Sequence, residues 1–420
     1  MTVSSRFRRL LPDEPVLRRL AVLTLVNTVG NGLFVTSSAV FFTRSVGLSA
    51  TQVGLGLTLA GGCGVAAGIP LGQLADRLGA KRMLTVLYLA QAVGLLCYTL
   101  VHSFAAFLVV ACAVTMVDRG GSAVKGALYA VALPAQTRVR GRAYLRAVTN
   151  VGMGAGSAVA AAALQLDSRA GYLAMILADV VTFAIAAQLL RRVPESAPPV
   201  VGPTSTRRSG VFTDLPFLAV TALSAVQAIQ FGLLDVGVPL WVVTHTHAPV
   251  AVVSVIMIVN TGLVVLFQVR AARGTDTVER AGRTARRAGL VLALSCLVFG
   301  LTQGLSPVLA IVVLLLAAVL QTAGEVLSSA ASWALSYELA DPAAPGSYQG
   351  LFNSGFAVAI MLAPVLTTST AIRFGLPGWI LLGVMFAASG AALVPVARWA
   401  ASTRGHHGGM TTAVPIEEAS

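Results

Sequence analysis

Six charged residues stand inside long apolar stretches of this chain: Asp118, Arg119, Lys125, Asp179, Asp235 and Glu325. Charge is costly in such surroundings, so these positions are where chemistry is to be sought. A carboxyl among apolar groups holds a proton more readily than one in water, and can bind and release it near neutral pH. The same carboxylate can pair with a cationic substrate. Asp235, just before Pro239, and Glu325, flanked by Gly324, Ser328 and Ser329, are the foremost candidates for either task. Asp118 and Arg119 are neighbours, so on a helix they point about 100° apart. They are read for coupling or substrate contact, with a structural ion-pair network as the alternative. Lys125 is read as snorkelling toward the nearer membrane surface. The four cysteines (Cys63, Cys97, Cys112, Cys296) have no metal-ligand spacing and read as packing residues, so no metal is expected. His245 and His247 read as solvated. No catalytic constellation or nucleotide-cradling glycine loop is visible, so neither an enzyme nor ATP drive is expected, and no cofactor.

The elements that position these residues follow from composition. Of 420 residues, 56% are apolar and 11% charged. Soluble domains carry about 25% charge, so a soluble enzyme, a disordered chain and a nucleic-acid-binding domain are excluded despite the net charge of +13. A bilayer-spanning helix needs ~20 apolar residues, and runs of that kind recur from 20–43 to 376–397, twelve in all. The fifth is placed at 144–165. The ninth, at 288–304, is crowded by Gly289 and Gly300. Of the 29 basic residues, 24 collect on one side of such a topology, Arg142 and Arg146 counted among its loops. Only Arg44, Arg169 and Arg373 fall on the other side. That asymmetry places both termini in the cytoplasm. Residues 191–214, rich in proline, serine and paired arginines, read as a linker between halves at 1–190 and 215–400. Residues 401–420 read as a disordered tail. The halves echo one another: Asn27 and Gly32-Leu33 recur as Gln227 and Gly232-Leu233, and Asp118 with Ala127-Leu128 recurs as Glu325 with Ala334-Leu335.

Between the second and third runs stands Gly72-Gln73-Leu74-Ala75-Asp76-Arg77-Leu78-Gly79-Ala80-Lys81-Arg82. It resembles the signature loop of the major facilitator superfamily, and with the paired halves the resemblance covers about residues 17–400. The residue types make physical sense. Gly72 lets one helix approach another, Gly79 permits a turn that a Cβ disfavours, and Asp76 suits the positive end of a neighbouring helix. The resemblance implies an all-α membrane fold of twelve helices in two pseudo-symmetric halves. It implies a cytoplasmic gate in which Asp76 latches helix 11, and ion pairs or topology roles for Arg77, Lys81 and Arg82. Helices 1, 4, 7 and 10 should line a central cavity, which makes Asn31, Gln227 and Gln230 candidate substrate contacts, with helix–helix hydrogen bonding the alternative. Helices 3, 6, 9 and 12 should lie outside it, which favours a structural role for Asp179. Helices 2 and 5 should line the seam between halves through Gly64, Gly68 and Gly72 and through Gly152, Gly156 and Ala160. Arg119 looks like the helix 4 arginine of the drug:proton antiporter members. The proline that those members often carry in helix 5 is missing.

The leading expectation is a bacterial inner-membrane transporter, monomeric, that exports a small organic compound such as a drug or secondary metabolite. Its energy source is the proton gradient, and its partners are substrate, protons and lipid, not nucleic acid. The alternatives are proton-coupled import of a metabolite and a non-transporting sensor with a transporter fold.

Overall fold

The computed structural model describes residues 14–165, 168–194 and 211–408. It contains twelve helices and, among the described residues, no strand. In chain order they are α1 (Pro15–Ser45), α2 (Ala50–Leu78), α3 (Ala80–Tyr98), α4 (Phe104–Ala132), α5 (Ala135–Leu164) and α6 (Arg169–Leu190). There follow α7 (Leu215–His245), α8 (Ala251–Ala271), α9 (Val278–Gly300), α10 (Pro307–Glu338), α11 (Pro345–Ile372) and α12 (Leu376–Gly408). Eleven are long and apolar enough to cross a bilayer. The exception is α9, whose first turns carry Arg280, Arg283, Arg286 and Arg287. The outer surface stays apolar, as a lipid-facing surface must: Ile258 is 72% exposed and Val308 74%. The chain is a multi-pass membrane protein.

Local chemistry sets the helix starts. Ser49 and Gln52 form a reciprocal capping box on α2, with hydrogen bonds of 3.1 and 2.9 Å. Ser103, Ser168 and Thr277 cap α4, α6 and α9 through side-chain oxygens. Asp214 caps α7 by accepting from the Phe217 N–H, and its other oxygen accepts from Tyr348 of α11 and Arg404 of α12. One carboxylate thus caps α7 and ties it to α11 and α12.

The helix pairing occurs twice. Within the first six, α1 packs on α5 and α6, α2 on α4, and α3 on α4 and α6. Six helices later, α7 packs on α11 and α12, α8 on α10, and α9 on α10 and α12. The two sets meet through α2 against α11, α4 against α11, and α5 against α8 and α10. Buried apolar residues form one cluster within 17–193 and two others drawn mainly from 211–400. Val139 and Ala143 of α5 join the last of these, so the start of α5 packs into the opposite half.

Several boundaries differ from expectation. Helix α5 starts at Ala135, not 144, because the helix continues through its basic turns: Val139 and Ala143 bury one face while arginines occupy the other. Helix α9 runs from Val278 to Gly300, earlier than 288–304, and gives way to a turn in which Gly304 adopts φ 73°. Residues 401–408 of the expected disordered tail are helical in α12. The rest of that tail, and linker residues 195–210, lie outside the described residues.

The glycines divide by partner. Gly68 and Gly72 of α2 lie against Gly350 and Gly346 of α11, backbone to backbone, while Gly64 meets Thr115 and Arg119 of α4. Gly152 and Gly156 do not face the seam. They pack on α1 at Thr28 and Val29, inside their own half. A Cβ at Gly156 would overlap the Val29 carbonyl, whereas Gly154 faces open space. Gly156→Leu should therefore destabilise by about 1–3 kcal/mol and lower the thermal unfolding midpoint of the detergent-purified protein. Gly154→Leu, measured in parallel, should leave it near wild type.

Candidate functional site

The basic loops gather at one end of the bundle, and that end is shut. Asp76, at the end of α2, reaches the N-terminus of α11. Its Oδ1 accepts from the Gly346 N–H at 2.6 Å, and its Oδ2 accepts from the Ser347 N–H at 2.8 Å and the Ser347 hydroxyl at 2.6 Å. Pro345 opens α11, so Gly346 and Ser347 offer N–H groups without helical partners. Asp76 is an N-cap supplied by another helix, placed where the dipole favours an anion. Gly72 permits the approach, since a Cβ there would overlap the Gly346 carbonyl. Gly79 holds φ 88° between α2 and α3. Lys81 donates to the Arg191 carbonyl at 3.2 Å, at the end of α6, and Arg77 and Arg82 are exposed at the same end.

A second layer lies above the first. Arg142 of α5 donates to the Tyr337 hydroxyl of α10 at 2.8 Å and to the Gln349 Oε1 of α11 at 3.1 Å. Its guanidinium sits over the Trp333 and Tyr337 rings, 5.2 and 5.3 Å from their centroids, and Arg138 sits over Tyr337 at 5.6 Å. Gln349 in turn donates to the Ser336 carbonyl at 3.0 Å. Ser354 of α11 donates to the Val65 carbonyl of α2 at 3.0 Å. The Arg138, Arg142 and Ser354 contacts join one half to the other, while Gln349 ties α11 to α10 within the second half.

Above this floor is a central cavity of about 370 Å³, lined from α1, α2, α3, α4, α5, α7, α10 and α11. Asn31, Asp118, Arg119 and Gln227, all singled out from sequence, line it. Lys125 also lines it, within electrostatic reach of Asp118, rather than snorkelling away. Gln227 donates to the Ala285 carbonyl of α9 at 2.9 Å.

Three expected residues lie elsewhere. Gln230 is fully buried between α7 and α10, where its carbonyl and side-chain oxygens accept from Gln321, so it is a helix-packing group and not a cavity group. Glu325 turns away from the lining toward α8, where Asn260 donates to its Oε2 at 2.8 Å, and it is 4% exposed. Asp235 is an exposed carboxylate in the π-helical segment Leu233–Gly237 of α7. Both acids are within electrostatic reach of Arg146 of α5, which lines the cavity and lies over the Phe231 ring at 5.6 Å. One guanidinium of the first half thus attracts two carboxylates of the second. Asp179 is buried against Gly30 of α1 and accepts from Thr182 at 3.0 Å. Trp241 is fully buried and donates to Thr302 at 2.8 Å.

Arg142 and Arg146 are the functional positions that sequence reasoning missed. The clue was their spacing: Arg138, Arg142 and Arg146 recur every fourth residue, one face of a helix, opposite Trp333 and Tyr337 at the same interval. Losing the cap in Asp76→Ala should weaken closure by about 1–2 kcal/mol. Spin labels placed across the basic end should then report a larger share of long distances, and an unchanged distribution would contradict the capping role.

Comparison with known proteins agrees with this geometry. A family model described as Major Facilitator Superfamily matches residues 20–364. A search of curated proteins finds no match. Among solved structures, the proton:xylose symporter XylE bound to 6-bromo-6-deoxy-D-glucose aligns with a TM-score of 0.67 at 14% identity, over 89% of this chain and 94% of that one. A bacterial homologue of the iron transporter ferroportin in an outward-facing state gives 0.67 at 14%, over 93% and 100%. The human organic anion transporter MFSD10 (TETRAN) gives 0.62 at 14%, over 90% and 100%. Likeness at such identity is a likeness of fold.

Proposed function

The chain belongs to the major facilitator superfamily, and we propose that it is a proton-driven secondary transporter that exports a small organic compound by alternating access. The basic end is the cytoplasmic face, as the distribution of arginines favours. The halves 1–190 and 215–400 rock about the cavity as a monomer, and the gate at Asp76 and Arg142 opens when they do.

One observation carries the reading: Arg146 of α5, in the first half, lies within electrostatic reach of both Asp235 and Glu325 in the second. A proton taken up by either carboxylate removes its attraction for the guanidinium. That loosens a tie between the halves, so proton binding and rearrangement become one event. Glu325, buried against Asn260, is the stronger candidate because burial makes its charge depend on that partner. Asp118 and Arg119, on α4, then serve substrate. Export is favoured over import by the likeness of Arg119 to the helix 4 arginine of the drug:proton antiporter members.

The purified protein in liposomes should move its substrate against a concentration gradient when a pH gradient is imposed, inward in inside-out vesicles. Glu325→Gln should abolish uphill movement, a loss of about a hundredfold or more for a coupling step that needs the proton site, yet retain substrate exchange. Unchanged uphill transport in Glu325→Gln would remove Glu325 from the mechanism. Uphill movement in the opposite sense would establish import.

A further inference from the structure

Charge is distributed unevenly over the cavity wall. Arg119, Lys125, Arg142 and Arg146 line it, and Asp118 is the one carboxylate among the described lining residues. Three of the four cations have local partners. Lys125 is within reach of Asp118, and Arg146 of Asp235 and Glu325. Arg142 is committed to Tyr337, Gln349 and the Trp333 ring. Arg119 has no hydrogen bond or ion pair among the described residues, although it sits in the middle of α4. A guanidinium is always charged and offers five donors in a fixed fork that matches a carboxylate or phosphate.

A second observation is independent of charge. Five residues that line the cavity hold polar atoms, buried and without hydrogen-bond partners: Asn27 Nδ2, Tyr88 OH, Thr221 Oγ1, Ser224 Oγ and Gln227 Oε1. All five side chains are more than nine-tenths buried. Thr221, Ser224 and Gln227 recur every third residue of α7 and all line the cavity. Unsatisfied groups of this kind are costly unless a ligand completes them. The volume of about 370 Å³ lies at the small end of the range for small-molecule sites.

We infer that the cavity binds a small organic anion, its acidic group on the Arg119 guanidinium and its hydroxyl or amide groups on Thr221, Ser224 and Gln227. This names the substrate class within the transport reading above and rests on that reading for its purpose, though binding itself does not require transport. The negative charge suits Arg119 because the remaining cations already have partners. Apart from Asp118, which is within reach of Lys125, the acids that would favour a cation stand off the lining: Glu325 faces Asn260, and Asp179 faces Thr182 and Gly30.

The test uses the detergent-purified full chain and matched sets of probes: benzoate, salicylate and indole-3-carboxylate, each beside its carboxamide and its aminomethyl counterpart. Thermal stabilisation and equilibrium binding are measured for each at millimolar concentration. The carboxylates should bind at least about tenfold more tightly than the amides or amines, and Arg119→Gln should erase that preference while Arg119→Lys restores part of it. Thr221→Val and Ser224→Ala, which remove only a hydroxyl, should weaken salicylate more than benzoate, and they test the site even if Arg119→Gln does not fold. Preference for the amine or amide members, binding to none of the carboxylates, or an unchanged preference in Arg119→Gln overturns the inference. Failure of the transport reading looks different: carboxylates would bind through Arg119, yet no pH gradient would drive their uphill movement in liposomes.

Discussion

Hydrocarbon offers no hydrogen-bond partner, so every charge placed at bilayer depth must be answered from within the bundle. That constraint accounts for most of what is specific here. It drives Asp118, Arg119, Lys125 and Arg146 toward one central cavity, because an apolar outer surface leaves them nowhere else to go. It also explains why Asp179 is backed by Thr182 and Glu325 by Asn260 and not left toward lipid. The cavity is thus the place where the sequence's scarce charge can be tolerated, and any ligand that enters meets that charge first.

Closure of the basic end has a different character. It rests on few contacts of modest strength, and no large apolar interface is needed. Asp76 supplies a missing cap to α11, α2 and α11 touch through glycine backbones, and Arg142 bridges Tyr337 and Gln349. A cap contributes about 1 kcal/mol, and a hydrogen bond to a charged group about 1.5–3 kcal/mol. A sum of a few kcal/mol is what a two-state protein needs, since a larger sum would leave the second state too rare to visit. Glycine suits such a surface. It leaves no interlocking side chains that must be withdrawn before the helices part.

The sequence made the architecture legible because hydropathy and arginine placement are read by position alone. The twelve helices follow from that kind of pattern, whereas the latch of Asp76 on α11 was implied by the resemblance of the 72–82 loop to a family signature. Helix α5 was misjudged because its first turns are polar: Val139 and Ala143 pack into the opposite half, with Arg138, Arg142 and Arg146 partly buried beside them and Arg140 exposed. Hydropathy cannot separate a basic loop from a basic helix face that packs on Trp333 and Tyr337. Spacing can, and the four-residue interval was present. Gln230 and Glu325 were misplaced for a rotational reason. A cavity-lining helix has a back as well as a front, and one residue's step of about 100° decides between them. Gln227 falls on the front of α7, and Gln230 falls against Gln321.

The same rotation separates the two jobs the embedded charges are given. Glu325 and Asp235 are not in the lining, but Arg146 is, so protonation behind the wall is felt in the cavity through a single guanidinium. An acid in the lining would compete with an anionic ligand for the same space and charge. An acid one layer back does not compete for space, and it changes only how firmly Arg146 is held. Ligand and proton can then act on one rearrangement through different helices, Arg119 on α4 and Arg146 on α5, without occupying each other's site. Coupling of this kind requires two discrete arrangements that both events bias. The doubled six-helix pairing, joined at its basic end by caps and glycine contacts, provides the element that can hold them.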